Sequence, residues 1–279
     1  MLQKGTLYVV ATPIGNLQDI TFRAIDVLKD VDVIAAEDTR HSQKLLNHYD
    51  ISTRLTSMHD HNESQKKQLL VKDLESGLNV ALISDAGTPL ISDPGYGLVN
   101  LCREQGITVV PIAGPCAAIA ALCASGLATD KFVFYGFLPV KHLAKHQALE
   151  TLINDSATTV FYESPRRVVD TLTAIVEVLG GHRQVVIAKE ISKTFETFHS
   201  ATAEETLVWL KADDNHQRGE FVIMVGGNKD VQNDLPSEAI ALLKLMMAEL
   251  PLKKAAAITA AHYDLKKNAL YQYGLSIDE

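Results

Sequence analysis

Short apolar runs alternate with amphipathic stretches along most of the chain. The apolar or β-branched runs predict strands, and the amphipathic stretches between them predict helices. The predicted strands cover residues 7–11, 31–36, 54–57, 79–84, 106–112, 132–137, 158–162, 184–188, 194–200 and 220–225. Strands that alternate with helices at this spacing indicate an α/β fold with a mostly parallel first sheet.

The pattern changes after Lys131, where strands follow one another with fewer helices between them. This order predicts a second α/β domain with a mixed sheet. Ser164 and Pro165 suit the cap and the first turn of a helix that follows the strand at 158–162. A polar linker and three short helices end the chain, so the predicted domains are 1–116, 117–228 and 229–279.

Composition narrows the class of protein. The 279 residues suffice for about two domains, and a net charge of −8 argues against a surface that binds nucleic acid everywhere. The three cysteines form no CxxC pair, which favours a reducing cytoplasm. No apolar run approaches the ~20 residues of a membrane span. The first residues lead directly into a strand, so we expect no signal peptide.

Polar, glycine- and proline-rich turns follow the predicted strands. The fullest of these turns is Leu82–Gly97, which carries Asp85 and Asp93 among several glycines and hydroxyl groups. Ligands in open α/β sheets bind outside the carboxyl ends of the strands, so these turns are expected to converge on one interdomain cleft. The chain lacks GxxxxGK[ST], GxGxxG after the first strand, and GxSxG, which argues against the common nucleotide folds and the serine hydrolases.

One cluster raises the question of a metal, namely His59, Asp60, His61 and Glu63. In a strand, His59 and His61 share one face while Asp60 points away, and on a helix zinc pairs favour i,i+4 spacing. We therefore predict no metal site.

Four ordered motifs resemble the tetrapyrrole-methylase superfamily. They are Leu7–Leu17, Glu37–Arg40, Ser84–Gly95 and Phe161–Pro165, and the lysine-containing tail extends the resemblance nearly to the end of the chain. Within the superfamily the motifs are closest to its branch that methylates ribosomal RNA. Two segments depart from the family pattern: Ala113–Cys116 lacks a hydroxyl, so Cys116 is not assigned to the cofactor, and Ser164–Arg167 retains a basic residue.

The resemblance implies a two-domain methylase with S-adenosylmethionine in the interdomain cleft, and a homodimer. It implies 2'-O-methylation of a cytidine in the 16S rRNA of a folded or assembled small ribosomal subunit. The cofactor is expected at Asp85, Ala86, Gly87, Thr88, Ile91, Ser125, Thr129, Tyr162 and Ala188. In this setting Asp85 fixes the backbone or the cofactor rather than moving a proton.

Candidates for catalysis are Lys189, Glu163 and Glu190, as a general base or as a group that stabilises the developing alkoxide. The candidate RNA-binding residues are all basic: Arg40, Arg166, Arg167, Lys253, Lys254, Lys266 and Lys267. The four lysines lie on two tail segments that resemble a helix-turn-helix, although a helical cap that packs on the protein is an equal alternative.

Two other functions remain open. A methylase of a tetrapyrrole such as a precorrin would use the same core. A non-catalytic protein that binds RNA or the ribosome would retain only a vestigial cofactor cleft, and the intact Asp85–Pro89 turn argues against it.

Overall fold

A computed structural model describes residues 2–59, 63–228 and 235–277, apart from the side chains of residues 63–65 and 276. The chain forms two compact units. The larger comprises Met1–Ile153 and Ala157–Gly227, and the smaller comprises Asn154–Ser156 and Asn228–Glu279.

The first sheet of the larger unit has five parallel strands in the order β3-β2-β4-β1-β5. The strands are β1 (Thr6–Val10), β2 (Val33–Ala36), β3 (Arg54–Ser57), β4 (Val80–Ile83) and β5 (Thr108–Ile112). The helices of this part are α1 (Phe22–Asp30), α2 (Thr39–His48), α3 (Glu63–Glu75), α4 (Tyr96–Glu104) and α5 (Ala117–Ala124). Both faces of β2 and β4 are buried, which explains why these strands have no polar alternation.

Side chains cap two helices of the first part of the chain. The Thr21 side chain accepts a hydrogen bond from the Ala24 N–H at the start of α1, and Asp38 accepts one from the Arg40 N–H at the start of α2. Each satisfies a backbone donor that the first helical turn leaves unpaired. Capping therefore fixes the points at which α1 and α2 begin.

The second sheet is mixed, as the sequence predicted, with the order β6-β7-β10-β8-β9. Its strands are β6 (Phe132–Phe137), β7 (Thr158–Glu163), β8 (Gln184–Lys189), β9 (Thr197–Thr202) and β10 (Phe221–Val225). The helices are α6 (His142–Glu150), α7 (Val168–Leu179) and α8 (Ala203–Ala212). Only β6 and β7 are parallel, and β10 pairs antiparallel with both β7 and β8.

The two faces of the second sheet pack against different helices. Ala118, Ala121 and Leu122 of α5 pack with Val222 and other side chains on one face, and α7 and α8 cover the opposite face. Since α5 packs on this sheet, a domain boundary near residues 116 and 117 remains a reasonable prediction.

The expected cap at Ser164 is wrong, because α7 begins at Val168 and its N-cap residue is Arg167. The Ser164 carbonyl accepts hydrogen bonds from the N–H groups of both Arg167 and Val168. The Ser164 N–H is held in turn by the Glu163 carboxylate. These bonds fold residues 164–167 into a turn, and the helix starts only after it.

The smaller unit contains α9 (Ser237–Met247), α10 (Leu252–Tyr263) and α11 (Lys267–Ile277) around a core that includes Leu243, Ala256 and Leu270. Asp264, in the left-handed conformation with φ 52°, ends α10 and turns the chain toward α11. Residues 229–234 of the predicted linker lie outside the described residues. Along the described chain, no helix combines the length and the apolar character that crossing a membrane requires.

Candidate functional site

A cavity of about 410 Å³ lies within the larger unit, where the turns after β1 and β4 meet the second sheet. Its volume is in the range of small-molecule sites. The lining is mostly apolar with a few polar groups, and it consists of Ile14, Ala86, Gly87, Thr88, Ile91, Ser92, Asp93, Ala117, Phe137, Tyr162, Glu163, Ser164, Pro165, Ile191, Glu220, Phe221 and Val222.

The turns after β1 and β4 are joined by backbone hydrogen bonds. The Thr12 N–H donates to the Gly87 carbonyl at 2.9 Å, and the Gly87 N–H donates to the Thr12 carbonyl at 3.0 Å. Gly87 has φ +84°, and a Cβ atom there would lie 3.2 Å from Cγ2 of Ile14. The backbone conformation therefore favours glycine, and a side chain there would crowd Ile14 at the cavity wall.

Asp85 ties the end of β4 to the end of β2, because its Oδ1 accepts a hydrogen bond from the Asp38 N–H at 3.0 Å. This contact agrees with the expectation that Asp85 fixes backbone. The Thr88 hydroxyl similarly donates to the Pro115 carbonyl at 2.9 Å and links the turns after β4 and β5. The glycine-rich turn is thus held from both sides.

Five of the nine predicted cofactor residues line the cavity: Ala86, Gly87, Thr88, Ile91 and Tyr162. The Tyr162 hydroxyl accepts a hydrogen bond from the Ala118 N–H at the start of α5. Asp85, Ser125, Thr129 and Ala188 do not line it. Ser125 closes α5, with its hydroxyl bonded to Leu122 and Leu127, and Ala188 is buried beneath α5.

Glu163 reaches the cavity wall, but its carboxylate is already occupied. It accepts hydrogen bonds from the Ser164 N–H at 2.8 Å and the Thr171 hydroxyl at 2.7 Å, and Arg167 Nε lies 3.3 Å from Oε1. Glu163 is 3% exposed. These donors fix the orientation of the carboxylate, so Glu163 serves here to hold the turn before α7.

Lys189 faces away from α5, because neighbouring strand residues alternate between faces and Ala188 occupies the α5 side. Its Nζ donates to the Asn215 carbonyl and lies 5.8 Å from the centre of the Phe221 ring. Burial lowers the pKa of Lys189, although Glu190 and Asp213 oppose the shift. The lysine does not line the cavity and instead anchors the segment at residues 214–217.

Glu190 follows in the left-handed conformation with φ 51°. Its carboxylate accepts hydrogen bonds from the Glu220 N–H at 2.9 Å and from Lys193 Nζ at 3.0 Å. Burial favours a higher pKa for Glu190, but these two donors outweigh burial and lower it. Glu190 is thus a paired carboxylate beside the cavity.

The three arginines expected to contact phosphate lie in different environments. Arg40 is 90% exposed and pairs with Asp38 at 2.9 Å. Arg166 is exposed and forms no ion pair with the residues that the structure describes. Arg167 points inward, where Nη2 donates to the Leu138 carbonyl at 2.5 Å. Arg166 is therefore the better placed of the adjacent pair for a phosphate outside the protein.

The four tail lysines are exposed at the starts of α10 and α11. Lys253 and Lys254 lie in the first turn of α10, and Lys266 and Lys267 lie at the beginning of α11. The two helices pack through buried alanines and Leu270. Their starting turns leave all four ammonium groups in solvent.

Several residues that line the cavity were not among the predicted cofactor residues. Asp93 and Ser92 belong to the same turn as Asp85, and Phe221 and Val222 come from β10. Val222 stands opposite Tyr162 in the sheet, a proximity that only the strand pairing reveals. Burial raises the pKa of Asp93; the Asp85 charge adds to this shift and a hydrogen bond from Ser84 opposes it.

The rejected metal cluster near His59 cannot be described in full, because Asp60 and His61 lie outside the described residues. A different group, formed by His142, His146 and Glu177, brings three possible ligand atoms within 4.8 Å of one another.

Comparison with known proteins identifies two matching families. Residues 6–207 match the tetrapyrrole (corrin/porphyrin) methylases, and residues 233–278 match the RsmI C-terminal helix-turn-helix domain. The proteins named ribosomal RNA small subunit methyltransferase I include relatives from Escherichia coli O157:H7 at 55% identity over 98% of this chain and 95% of the relative, and from Pseudomonas aeruginosa at 48% over 98% of both.

Solved structures show the same fold at lower identity. Uroporphyrin-III-C-methyltransferase from Thermus thermophilus aligns with a TM-score of 0.57 and 18% identity, over 80% of this chain and 94% of its own. The methyltransferase CobJ aligns with a TM-score of 0.60 and 15% identity, over the same shares.

Proposed function

The chain belongs to the tetrapyrrole methylase family and to its ribosomal RNA small subunit methyltransferase I group, and from this premise we propose that it methylates the 2'-hydroxyl of a cytidine in 16S rRNA, with S-adenosylmethionine as the methyl donor. The substrate in this proposal is a folded or assembled small ribosomal subunit. The main support is the 55% identity, over nearly the full length, to a protein of that name. The cavity at the strand ends, which residues of the family motifs line, adds to it.

The residues present fit the cofactor. Ile14, Ile91 and Val222 give the cavity apolar walls that suit an adenosyl group. The Asp93 carboxylate suits a cationic group of the same cofactor. Gly87 lets the backbone of the turn form part of the wall without a side chain. S-adenosylmethionine, when bound, supplies a methyl group already activated as a sulfonium.

The work left to the protein is alignment and exclusion of water. Thr12, Gly87 and Thr88 join the turns after β1, β4 and β5, so the cavity wall is rigid before any ligand arrives. Alignment of this kind can supply roughly 7–11 kcal/mol of barrier lowering. Lys189, Glu163 and Glu190 remain the sequence-based candidates for proton handling. Asp93 joins them because it lines the cavity and burial raises its pKa.

Recognition of RNA is assigned to local basic groups. With a net charge of −8, the chain is unsuited to coat RNA indiscriminately, so contacts are expected to concentrate on exposed cations. Arg40, Arg166 and the four lysines at the starts of α10 and α11 supply these cations. Folded RNA is read mainly by shape and backbone, which fits a few separated phosphate contacts.

A cytoplasmic homodimer is part of the proposal. β6 forms an edge of the second sheet, and it exposes Phe132, Val133 and Tyr135. An exposed apolar edge strand can pair with other chains and promote aggregation, so a partner subunit commonly covers it. Light scattering on the purified protein measures the mass directly, and a monomer at micromolar concentration would contradict this part.

One parallel assay tests the activity. The protein is incubated with S-adenosylmethionine that carries a labelled methyl group. Separate reactions contain small ribosomal subunits, naked 16S rRNA or a uroporphyrinogen. We expect label in the subunit's RNA, recovered after nuclease digestion as 2'-O-methylcytidine. Subunits that already carry the modification should accept little, so subunits from cells that lack this enzyme are the substrate.

Other outcomes have defined meanings. Label in the porphyrinoid alone would replace the RNA with a tetrapyrrole as substrate. Label at a base atom would retain RNA methylation and refute the 2'-O position. Subunit binding without any transfer or cofactor binding would indicate a non-catalytic protein.

A further inference from the structure

Two helices of the larger unit bring together two imidazoles and a carboxylate away from the cavity. His142 and His146 stand one turn apart on α6, with ring centres 4.0 Å apart, and Glu177 comes from α7. None of the three lines the cavity. One possible ligand atom from each lies within 4.8 Å of the others.

The chemistry of this set suits a transition metal. Histidines at i and i+4 present their nitrogens on one helix face, which is a recurring arrangement for zinc. Ligands about 2.0–2.1 Å from a tetrahedral ion lie roughly 3.3 Å from one another. His146 Nε2 and Glu177 Oε2 are already 3.3 Å apart. All three ligand atoms lie within 4.8 Å of one another, so a small approach of the side chains gives this spacing.

The environment of His146 is a second, independent indication. Its Nε2 is shielded from solvent and forms no hydrogen bond of good geometry with the described residues, although it lies beside the Glu177 oxygen. A buried nitrogen without a hydrogen bond is costly unless another partner satisfies it. A metal ion between His146 and Glu177 would satisfy both groups.

Nearby charges are arranged to tolerate a cation. Lys145, between the two histidines in sequence, is 1% exposed and its ammonium pairs with the Asp170 carboxylate, which reduces its repulsion of an ion. Asp170 also lies close enough to His142 for their charges to interact. A carboxylate near a ligating imidazole commonly orients it and raises its basicity.

We propose that His142, His146 and Glu177 bind a divalent transition-metal ion of the zinc type, with water completing the coordination. The ion joins α6 to α7 and stabilises the larger unit. His142 and Glu177 are exposed, so the ion exchanges with solvent rather than being locked in the core.

The test uses the full chain without a histidine tag, stripped with a chelator. Titration with Zn²⁺ followed by calorimetry, and with Co²⁺ followed by its visible absorption bands, should show one saturable site per chain. Zn²⁺ should also raise the melting temperature. H142Q and E177Q should each weaken the affinity at least tenfold, and H146Q should do the same.

A matched control is H41Q, which removes an exposed histidine on α2 and should leave the titration unchanged. Because His146 is partly buried, circular dichroism of the metal-free variants checks folding, and the exposed His142 and Glu177 keep the test decisive if H146Q unfolds. The proposal fails if wild-type protein shows only millimolar binding, or if H142Q and E177Q bind Zn²⁺ as tightly as H41Q.

Discussion

Burial raises the pKa of Asp93 in the cavity although Ser84 donates a hydrogen bond to it, whereas the donors around Glu190 lower the pKa of that carboxyl. We expect Asp93→Asn to weaken S-adenosylmethionine binding about 10- to 100-fold, since a charge-assisted contact contributes ~1.5–3 kcal/mol. Calorimetry measures this loss.

The pH dependence adds a second signature at Asp93. The ionised form is the one that attracts a cation, so cofactor affinity should fall as pH drops through the raised pKa, and the Asn variant should show a flatter profile. Asp26→Asn, an exposed change on α1, is the control. Equal affinities for the wild type and the Asp93 variant would refute this assignment.

Cys102 gives a prediction about stability. Burial raises the pKa of its thiol from 9.0 to about 11, so the folded chain keeps a proton that the unfolded chain releases. The thiol's contribution is therefore complete below pH 9 and is lost as pH rises toward 11. Urea unfolding should show a steeper alkaline loss for the wild type than for Cys102→Ala; parallel curves would contradict it.

For single residues, the sequence indicated which residues lie near the cleft but not which way their side chains point. It placed Glu163 and Lys189 near the cleft, but strand alternation and the turn before α7 orient both toward protein partners. It also could not indicate that Glu177 reaches His142 and His146, because that contact depends on how α6 packs on α7.

Among the elements, the turn after β4 combines a positive φ at Gly87 with a close approach to a cavity-lining side chain. Gly87→Ala places a methyl group 3.2 Å from Ile14 and forces a positive φ on alanine, at a cost of about 1–2 kcal/mol. We expect a lower melting temperature and at least tenfold weaker binding of S-adenosylmethionine by calorimetry.

Gly77→Ala separates the two causes. Gly77 also has a positive φ, of 93°, but a Cβ there meets nothing within 4 Å. This control should lose a similar amount of stability and keep its cofactor affinity. If both variants bind the cofactor like the wild type, the turn does not form the site.

Most elements were predictable from their patterning. β2 and β4 are buried on both faces, so their apolar runs indicate their positions directly. Irregularities within the strands were not predictable. β6 contains a register shift between Phe134 and Gly136, which its aromatic sequence does not reveal. A bulge depends on the neighbouring strand, so it leaves little signal in its own sequence.

For the whole molecule, the distribution of charge predicts how salt affects the two ligands. Binding of the ribosomal subunit should weaken steeply with salt, while binding of S-adenosylmethionine should change little. Replacing Lys253, Lys254, Lys266 and Lys267 by Gln should reduce the salt slope by about 3, at roughly 0.7–0.9 per lost phosphate contact. Filter binding across a salt series measures the slope.

A charge-matched control distinguishes specific contacts from net charge. Lys29, Lys44, Lys72 and Lys211 are exposed on helices of the larger unit, and replacing them by Gln removes the same four charges. This control should keep most of the slope. If both quadruple variants lose it equally, the tail does not dock on RNA and serves as a helical cap.

The position of β10 has a consequence for synthesis of the protein. β7 and β8 do not pair with each other, because β10 lies between them and pairs with both. β10 is the last strand of the second sheet along the chain. β10 also supplies Phe221 and Val222 to the cavity wall. A growing chain can thus complete the first sheet once Ile112 has emerged from the ribosome, but the wall of the cavity is incomplete until Val225 has emerged. Until then, β7 and β8 carry open edges, and the nascent enzyme is vulnerable to mispairing.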